Sequence, residues 1–183
     1  MDVTFVTSNR GKRAEVTEIL QPFGVRVRWS RRVLPEPQSE SLAEVVRAKL
    51  SGAAGLGAVV LVEDSGLFIP ALGGFPGVYS HFVLRTIGVP GVIRLAGART
   101  LPARFETVAG VRRGRSVRLF RGSVAGHLAA RPRGNEGFGF DPIFVPAGSP
   151  QTYAEMSPEE KNRFSHRGFA IRAVGEWLVR SKR

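Results

Sequence analysis

Apolar positions change period along this chain in a way that predicts alternating strands and helices. Residues 2–7 carry Val3, Phe5 and Val6 and predict a first strand. Residues 12–20 place Val16, Ile19 and Leu20 at helical spacing, and Gly24 is positioned to end that helix. Residues 25–29 alternate Val25, Val27 and Trp29 with Arg26 and Arg28, which predicts a half-exposed strand. After a proline-rich loop, Ser41 and Glu44 stand at capping-box spacing at the start of a second helix. The run Val59-Val60-Leu61-Val62-Glu63 then predicts a buried strand. Strand, helix, strand, helix, strand in that order argues for a layered α/β fold.

Downstream, residues 77–87 and 90–95 predict two helices, and residues 104–111 and 116–128 predict long antiparallel strands joined at Arg113-Gly114. Ser157-Pro158-Glu159-Glu160 combines an N-cap, a proline at the first helical position and an acid at the third. A last helix is expected over residues 168–179. No repeat and no dividing linker is evident, so residues 1–183 are expected to form a single domain.

Composition narrows the function classes. The 183 residues, 43% hydrophobic and 23% charged, suit a soluble globular core. No stretch approaches the roughly 18 apolar residues of a membrane span, and Met1-Asp2-Val3-Thr4 lacks the basic start of a signal peptide, so no membrane partner and a cytoplasmic location are expected. Absence of Cys excludes disulfides, thiolate catalysis and Cys-ligated zinc, and His81, His127 and His166 are too widely spaced for a His-based zinc site. The net charge is +12, and 23 of the 27 basic residues are Arg. That balance fits a cleft for polyanionic small molecules, a nucleic-acid surface or a solvated arginine coat. The basic residues are spread along the chain and the densest run, Arg112-Arg113-Gly114-Arg115, falls at the predicted hairpin turn, which does not favour nucleic acid as the main partner.

Several segments carry candidate chemistry. Asp64 follows the apolar strand and opens Asp64-Ser65-Gly66-Leu67, the place where an α/β enzyme sets a catalytic or metal-binding acid. Thr7-Ser8-Asn9-Arg10-Gly11-Lys12 joins the first strand to the first helix, and hydroxyls, a glycine, free helical N–H groups and a lysine suit a triphosphate. It lacks the first glycine and the hydroxyl after the lysine of a Walker loop, and it also reads as a plain capped turn. Glu36, between Pro35 and Pro37, is a better metal-ligand candidate than Glu40 or Glu44, since magnesium on phosphates needs only one or two protein carboxylates. Residues 134–144 alternate glycine and phenylalanine, either to seat a flat ligand or to lead into an edge strand. Lys161, Asn162, Ser165, His166 and Arg167 cluster more polar groups than a helix cap requires.

These segments, in this order and spacing, resemble the inosine triphosphate pyrophosphatases, or XTP/dITP diphosphatases, over nearly the whole chain. The blocks that carry the resemblance are residues 7–12, Pro35-Glu36-Pro37-Gln38, residues 62–78, residues 137–144, and Ala154-Glu155-Met156-Ser157 through Ser165-His166-Arg167-Gly168. The resemblance implies hydrolysis of non-standard purine nucleoside triphosphates (ITP, dITP, XTP) to monophosphate and pyrophosphate. It implies an elongated layered α/β fold, with a central mixed sheet flanked by helices and an active-site cleft between two lobes, and a homodimer. It implies that Thr7, Ser8, Asn9, Arg10, Gly11 and Lys12 hold phosphates, with Lys49 facing them and Ser65 touching substrate. Glu36 and Asp64 would bind Mg2+, Asp64 would also accept the proton of the attacking water, and Glu40 is the alternative to Glu36. Phe138, Gly139, Phe140, Asp141, Lys161, His166 and Arg167 would surround the base. Selection is then a hydrogen-bond problem, because inosine and xanthine carry an acceptor oxygen where adenine carries an amino donor, and lysine and arginine only donate. The alternatives are a diphosphatase for other nucleotides and a basic nucleic-acid-binding protein without turnover.

Overall fold

Val3, Phe5 and Val6 anchor β1 (Asp2–Val6) at the centre of the parallel part of a mixed sheet. The computed structural model describes residues 1–180. Helix α1 (Arg10–Leu20) returns the chain to β2 (Arg26–Ser30), and α2 (Leu42–Gly52) returns it to β3 (Val59–Phe68) on the other side of β1. Both pairings with β1 are parallel. β3 is apolar from Val59 to Val62 because both its faces are covered.

The rest of the sheet is antiparallel. β5 (Pro102–Arg113) runs against β3, and β6 (Ser116–Leu128) runs back along β5 through a two-residue turn at Gly114-Arg115. β7 (Phe144–Pro146) closes the order β2-β1-β3-β5-β6-β7, while β4 (Pro76–Gly77) pairs with the end of β3. On one face, α1 and α6 (His166–Arg180) pack Val16, Leu20, Ile171 and Leu178 onto Phe5, Leu61 and Ala109. On the other, Val46 and Leu50 of α2 cover Val60, Val62 and Val108. A further cluster joins Phe105, Phe140, Phe144 and Tyr153 to α3 (Ser80–Thr86) and α4 (Gly88–Leu95) through Val83 and Val92. The expected mixed-sheet α/β class is found.

The length of β3 makes the site. Only Val60 and Leu61 are in register with β1, opposite Thr4 and Phe5, whereas β3 stays paired with β5 over all ten of its residues. Glu63, Asp64 and Ser65 therefore lie past the carboxyl end of β1, where open α/β sheets form their crevices. The sequence expectation that this strand stops near Glu63 is corrected: Asp64 opposes Val108 and Ser65 opposes Thr107. Gly66 permits a further close approach, since a Cβ there would lie 2.4 Å from the Gly77 carbonyl.

Smaller boundaries also move. α3 begins at Ser80 and not at residue 77, because Pro76 and Gly77 are occupied in pairing with Phe68 and Leu67. α1 ends at Leu20, and Gly24 caps the short 3-10 turn that follows, with φ 64°. The Ser41–Glu44 box is half formed. Ser41 accepts from the Glu44 N–H, but the Glu44 carboxylate turns to the Ser39 hydroxyl. Ser157 caps α5 (Pro158–Phe164), as its sequence predicts, whereas α6 starts at His166, before residue 168.

Candidate functional site

The segment after β1 is fixed before it reaches any ligand. Trp29 Nε1 donates to the Thr7 carbonyl at 2.7 Å, Thr7 Oγ1 accepts from the Asn9 N–H at 3.1 Å, and Asn9 Oδ1 caps α1 by accepting from the Lys12 N–H at 3.0 Å. Lys12, in the first turn, sends its ammonium across the end of β1 to Glu63 at 2.6 Å, with Asp64 at 3.9 Å. Gly11 has a packing reason: a Cβ there would sit 2.4 Å from the Phe138 ring.

Two carboxylates meet on one cation. Lys49 of α2 places Nζ 2.9 Å from Glu36 and 3.2 Å from Asp64. Burial works against the Lys49 charge, yet Asp64 and Glu36 hold its pKa above the ordinary lysine value. Burial likewise opposes the Glu36 charge, and Lys49 brings its pKa below the usual carboxylate range. Glu36 and Asp64 thus face each other across the width of one cation. Among the described residues no group of three or more His, Asp or Glu could enclose a metal. This hard-oxygen pair instead fits an ion that completes its shell with water and phosphate oxygen.

Beyond Ser65 the site becomes a buried charge chain. Glu63 Oε2 accepts from Ser65 Oγ at 2.8 Å and from Arg167 Nε at 3.4 Å. Arg167 also donates to Glu15 and, at 3.0 Å, to Ser65. Lys161 joins Glu15, at 2.7 Å, to Asp141, whose Oδ2 accepts from the Phe138 N–H at 2.6 Å. Burial would raise the pKa of Glu63, but Lys12 and Arg167 hold it far below the usual carboxylate range. Burial dominates at Asp141 and raises its pKa despite Lys161. His166 stacks on Phe105 with centroids 4.4 Å apart and planes 6° apart, and its Nδ1 has no hydrogen-bond partner among the described residues. Burial, then Arg167 and Lys161, push the His166 pKa well below its ordinary value, so the imidazole is neutral at pH 7.

A cavity of about 380 Å³ joins these parts. Thr7, Ser8, Asn9, Lys12, Glu36, Lys49, Asp64, Ser65, Phe138, Gly139, Phe140, Asp141, His166 and Arg167 all line it. Three residues placed in the site from sequence stand outside its lining: Arg10 is exposed at the start of α1, Gly11 packs beneath Phe138, and Lys161 lies behind the wall on Glu15 and Asp141. Glu40 does not reach the cavity, whereas Glu36 does.

Sequence reasoning missed Glu15 and the role of Glu63. Their signal was present, since Lys12, Glu15, Val16, Ile19 and Leu20 follow helical 3–4 spacing and Glu63 ends an apolar strand, so both acids fall on buried positions. It also missed the face of α3 made by Ser80, His81, Leu84 and Arg85, which lines the cavity. No local motif marks that face.

Known proteins are similar to this chain over nearly its whole length. The chain is 45% identical to the dITP/XTP pyrophosphatase of Pyrococcus horikoshii, with 97% of each chain covered. It is also 45% identical to that of Methanopyrus kandleri, covering 97% of this chain and 96% of the other. A solved HAM1 protein from Coxiella burnetii superposes with a TM-score of 0.84 at 28% identity, covering 98% of this chain and 99% of that one. The Ham1 protein of Staphylococcus aureus gives 0.82 at 27% identity, covering 99% and 100%. The Ham1 family pattern itself matches residues 3–177, and the chain belongs to the Ham1 family.

Proposed function

We propose that this chain hydrolyses non-standard purine nucleoside triphosphates (ITP, dITP and XTP) to the nucleoside monophosphate and pyrophosphate, clearing them from the cytoplasmic nucleotide pool. One observation carries the reading. A single cavity joins the capped start of α1 and Lys12, the Glu36–Lys49–Asp64 cluster, and a wall that carries Phe138, Phe140 and Arg167. The activity named for the relatives supports it.

The work asked of the protein is positioning and charge neutralisation. The N–H groups at the start of α1, with Lys12 and Lys49, bind the phosphates. Glu36 and Asp64 are the residues that would hold Mg2+, which when bound supplies further neutralisation of phosphate charge. Asp64, on a strand paired with β5, accepts the proton of the water that attacks the α-phosphorus, and pyrophosphate leaves. At the other end Phe138 and Phe140 flank the base, and Arg167 keeps two of its five N–H groups beyond those spent on Glu63, Glu15 and Ser65. Those donors match a purine six-oxo acceptor and meet an adenine amino group unpaired. Residues 1–183 act as one catalytic unit and assemble as a homodimer, each subunit holding a complete site.

Product analysis with ITP and magnesium tests the reading. IMP and pyrophosphate in equal amounts are expected, with ATP a poor substrate. Orthophosphate with IDP left behind would overturn it, and equal turnover of ITP and ATP would leave a generic nucleotidase.

A further inference from the structure

Glu63 divides its two oxygens between the ends of the cavity. Oε1 lies 2.6 Å from the Lys12 ammonium, on the phosphate side, while Oε2 takes Ser65 Oγ at 2.8 Å and Arg167 Nε at 3.4 Å, on the base side. Its side chain is only 1% exposed. From it runs an unbroken alternation, Lys12, Glu63, Arg167, Glu15, Lys161, Asp141, ending on the Phe138 N–H of the base loop. Three cations face three anions, so the chain is balanced within itself, and among the described residues Glu63 alone joins its first member to the rest.

A buried carboxylate in such a place is costly unless both oxygens stay paired. When an anion arrives at Lys12, the ammonium is shared with it and Glu63 loses part of its compensation there. The remaining partners are the Ser65 hydroxyl and Arg167, and it is the charged one, Arg167, whose pairing with Glu63 must then strengthen. Occupation of the phosphate end therefore fixes the arginine that faces the base, and by linkage the reverse holds.

We propose that Glu63 is a positioning residue that couples the phosphate lysine Lys12 to the base-end arginine Arg167, so that phosphate binding and base recognition depend on one carboxylate. This rests on the reading of the cavity as a nucleoside triphosphate site, which Glu63 lines.

The test separates the two claims. Wild-type turnover of ITP to IMP and pyrophosphate is measured first, and its absence defeats the functional reading alone. Isothermal titration calorimetry then follows IMP on wild type and on Glu63→Gln, each with and without saturating inorganic pyrophosphate. Pyrophosphate should tighten IMP binding roughly 3- to 30-fold in wild type, the range found for residues that link sites, and far less in Glu63→Gln. In kinetics the ITP-to-ATP ratio of kcat/KM should narrow. No effect of pyrophosphate on IMP in wild type, or an equal effect in Glu63→Gln, overturns the coupling. Glu63→Asp keeps the charge if the glutamine variant fails to fold, but it is one methylene shorter and cannot span both partners. It should lose the coupling as the glutamine does, and wild-type coupling in it would show that charge alone suffices, contrary to the proposal.

Discussion

Lys49 and Asp64 stand 3.2 Å apart, and the same ammonium holds Glu36 at 2.9 Å. The cluster is built from three separate elements, the loop after β2, α2 and the extension of β3, and it meets where β1 has ended. Asp64→Asn should lower ITP turnover by about 10²- to 10⁴-fold, the usual contribution of a general base. Its melting temperature should stay near wild type, because Lys49 retains Glu36. Steady-state assays beside thermal melts check both halves, and an active asparagine variant would remove Asp64 from the chemistry.

Glu36→Gln should raise the magnesium concentration needed for half-maximal activity and leave activity at saturating magnesium less affected. Glu40→Gln should do neither, since Glu40 does not line the cavity. A magnesium titration of both variants decides between the two acids.

Much of this site was legible in the sequence because its pieces are local. Residues 7–12 join strand to helix in a capped turn, and the acid after an apolar strand falls at a sheet end by simple geometry. The extension of β3 beyond Glu63 was not legible, since Asp64, Ser65 and Gly66 carry no strand pattern of their own and are held by pairing with β5, some forty residues later in the chain. The charge chain was hidden for the same reason. Glu15 and Lys161 are 146 positions apart, and only the packing of α1 against α6 and α5 brings them together. The family resemblance implies Lys161 at the base, whereas the fold spends its ammonium on Glu15 and Asp141.

That placement distinguishes Lys161 from Arg167. Lys161→Ala removes the cation between Glu15 and Asp141, and loss of one partner of a buried pair costs about 3 to 5 kcal/mol. Urea denaturation should show this loss, while the ITP-to-ATP preference of any folded fraction changes little. Arg167→Ala should narrow that preference strongly. Equal narrowing by both variants would place Lys161 back in direct contact with the base.

Arg85 gives α3 a positive charge on the cavity wall. An arginine in that position attracts a polyphosphate before it docks. Arg85→Ala should reduce kcat/KM several-fold, about the effect of a rim charge, and flatten its dependence on salt, while kcat holds. A loss confined to kcat would mean that Arg85 acts in the chemical step.

His166 makes a prediction for pH that does not depend on turnover. Its folded-state pKa lies well below 6.5, because burial, Arg167 and Lys161 all oppose the imidazolium. Between the folded and unfolded values the unfolded chain binds one proton that the native protein does not. Stability therefore rises with pH in this window and falls as pH drops below the unfolded value. His166→Gln loses the stack on Phe105 and should be less stable at pH 7, but it carries no such titration. The difference in unfolding free energy between wild type and variant should shrink on acidification from pH 7 to about pH 5.5, as other titrating groups cancel in the subtraction. Urea denaturation of both proteins at the two pH values measures it. A constant difference would mean that His166 titrates normally in the folded protein and is protonated against Phe105.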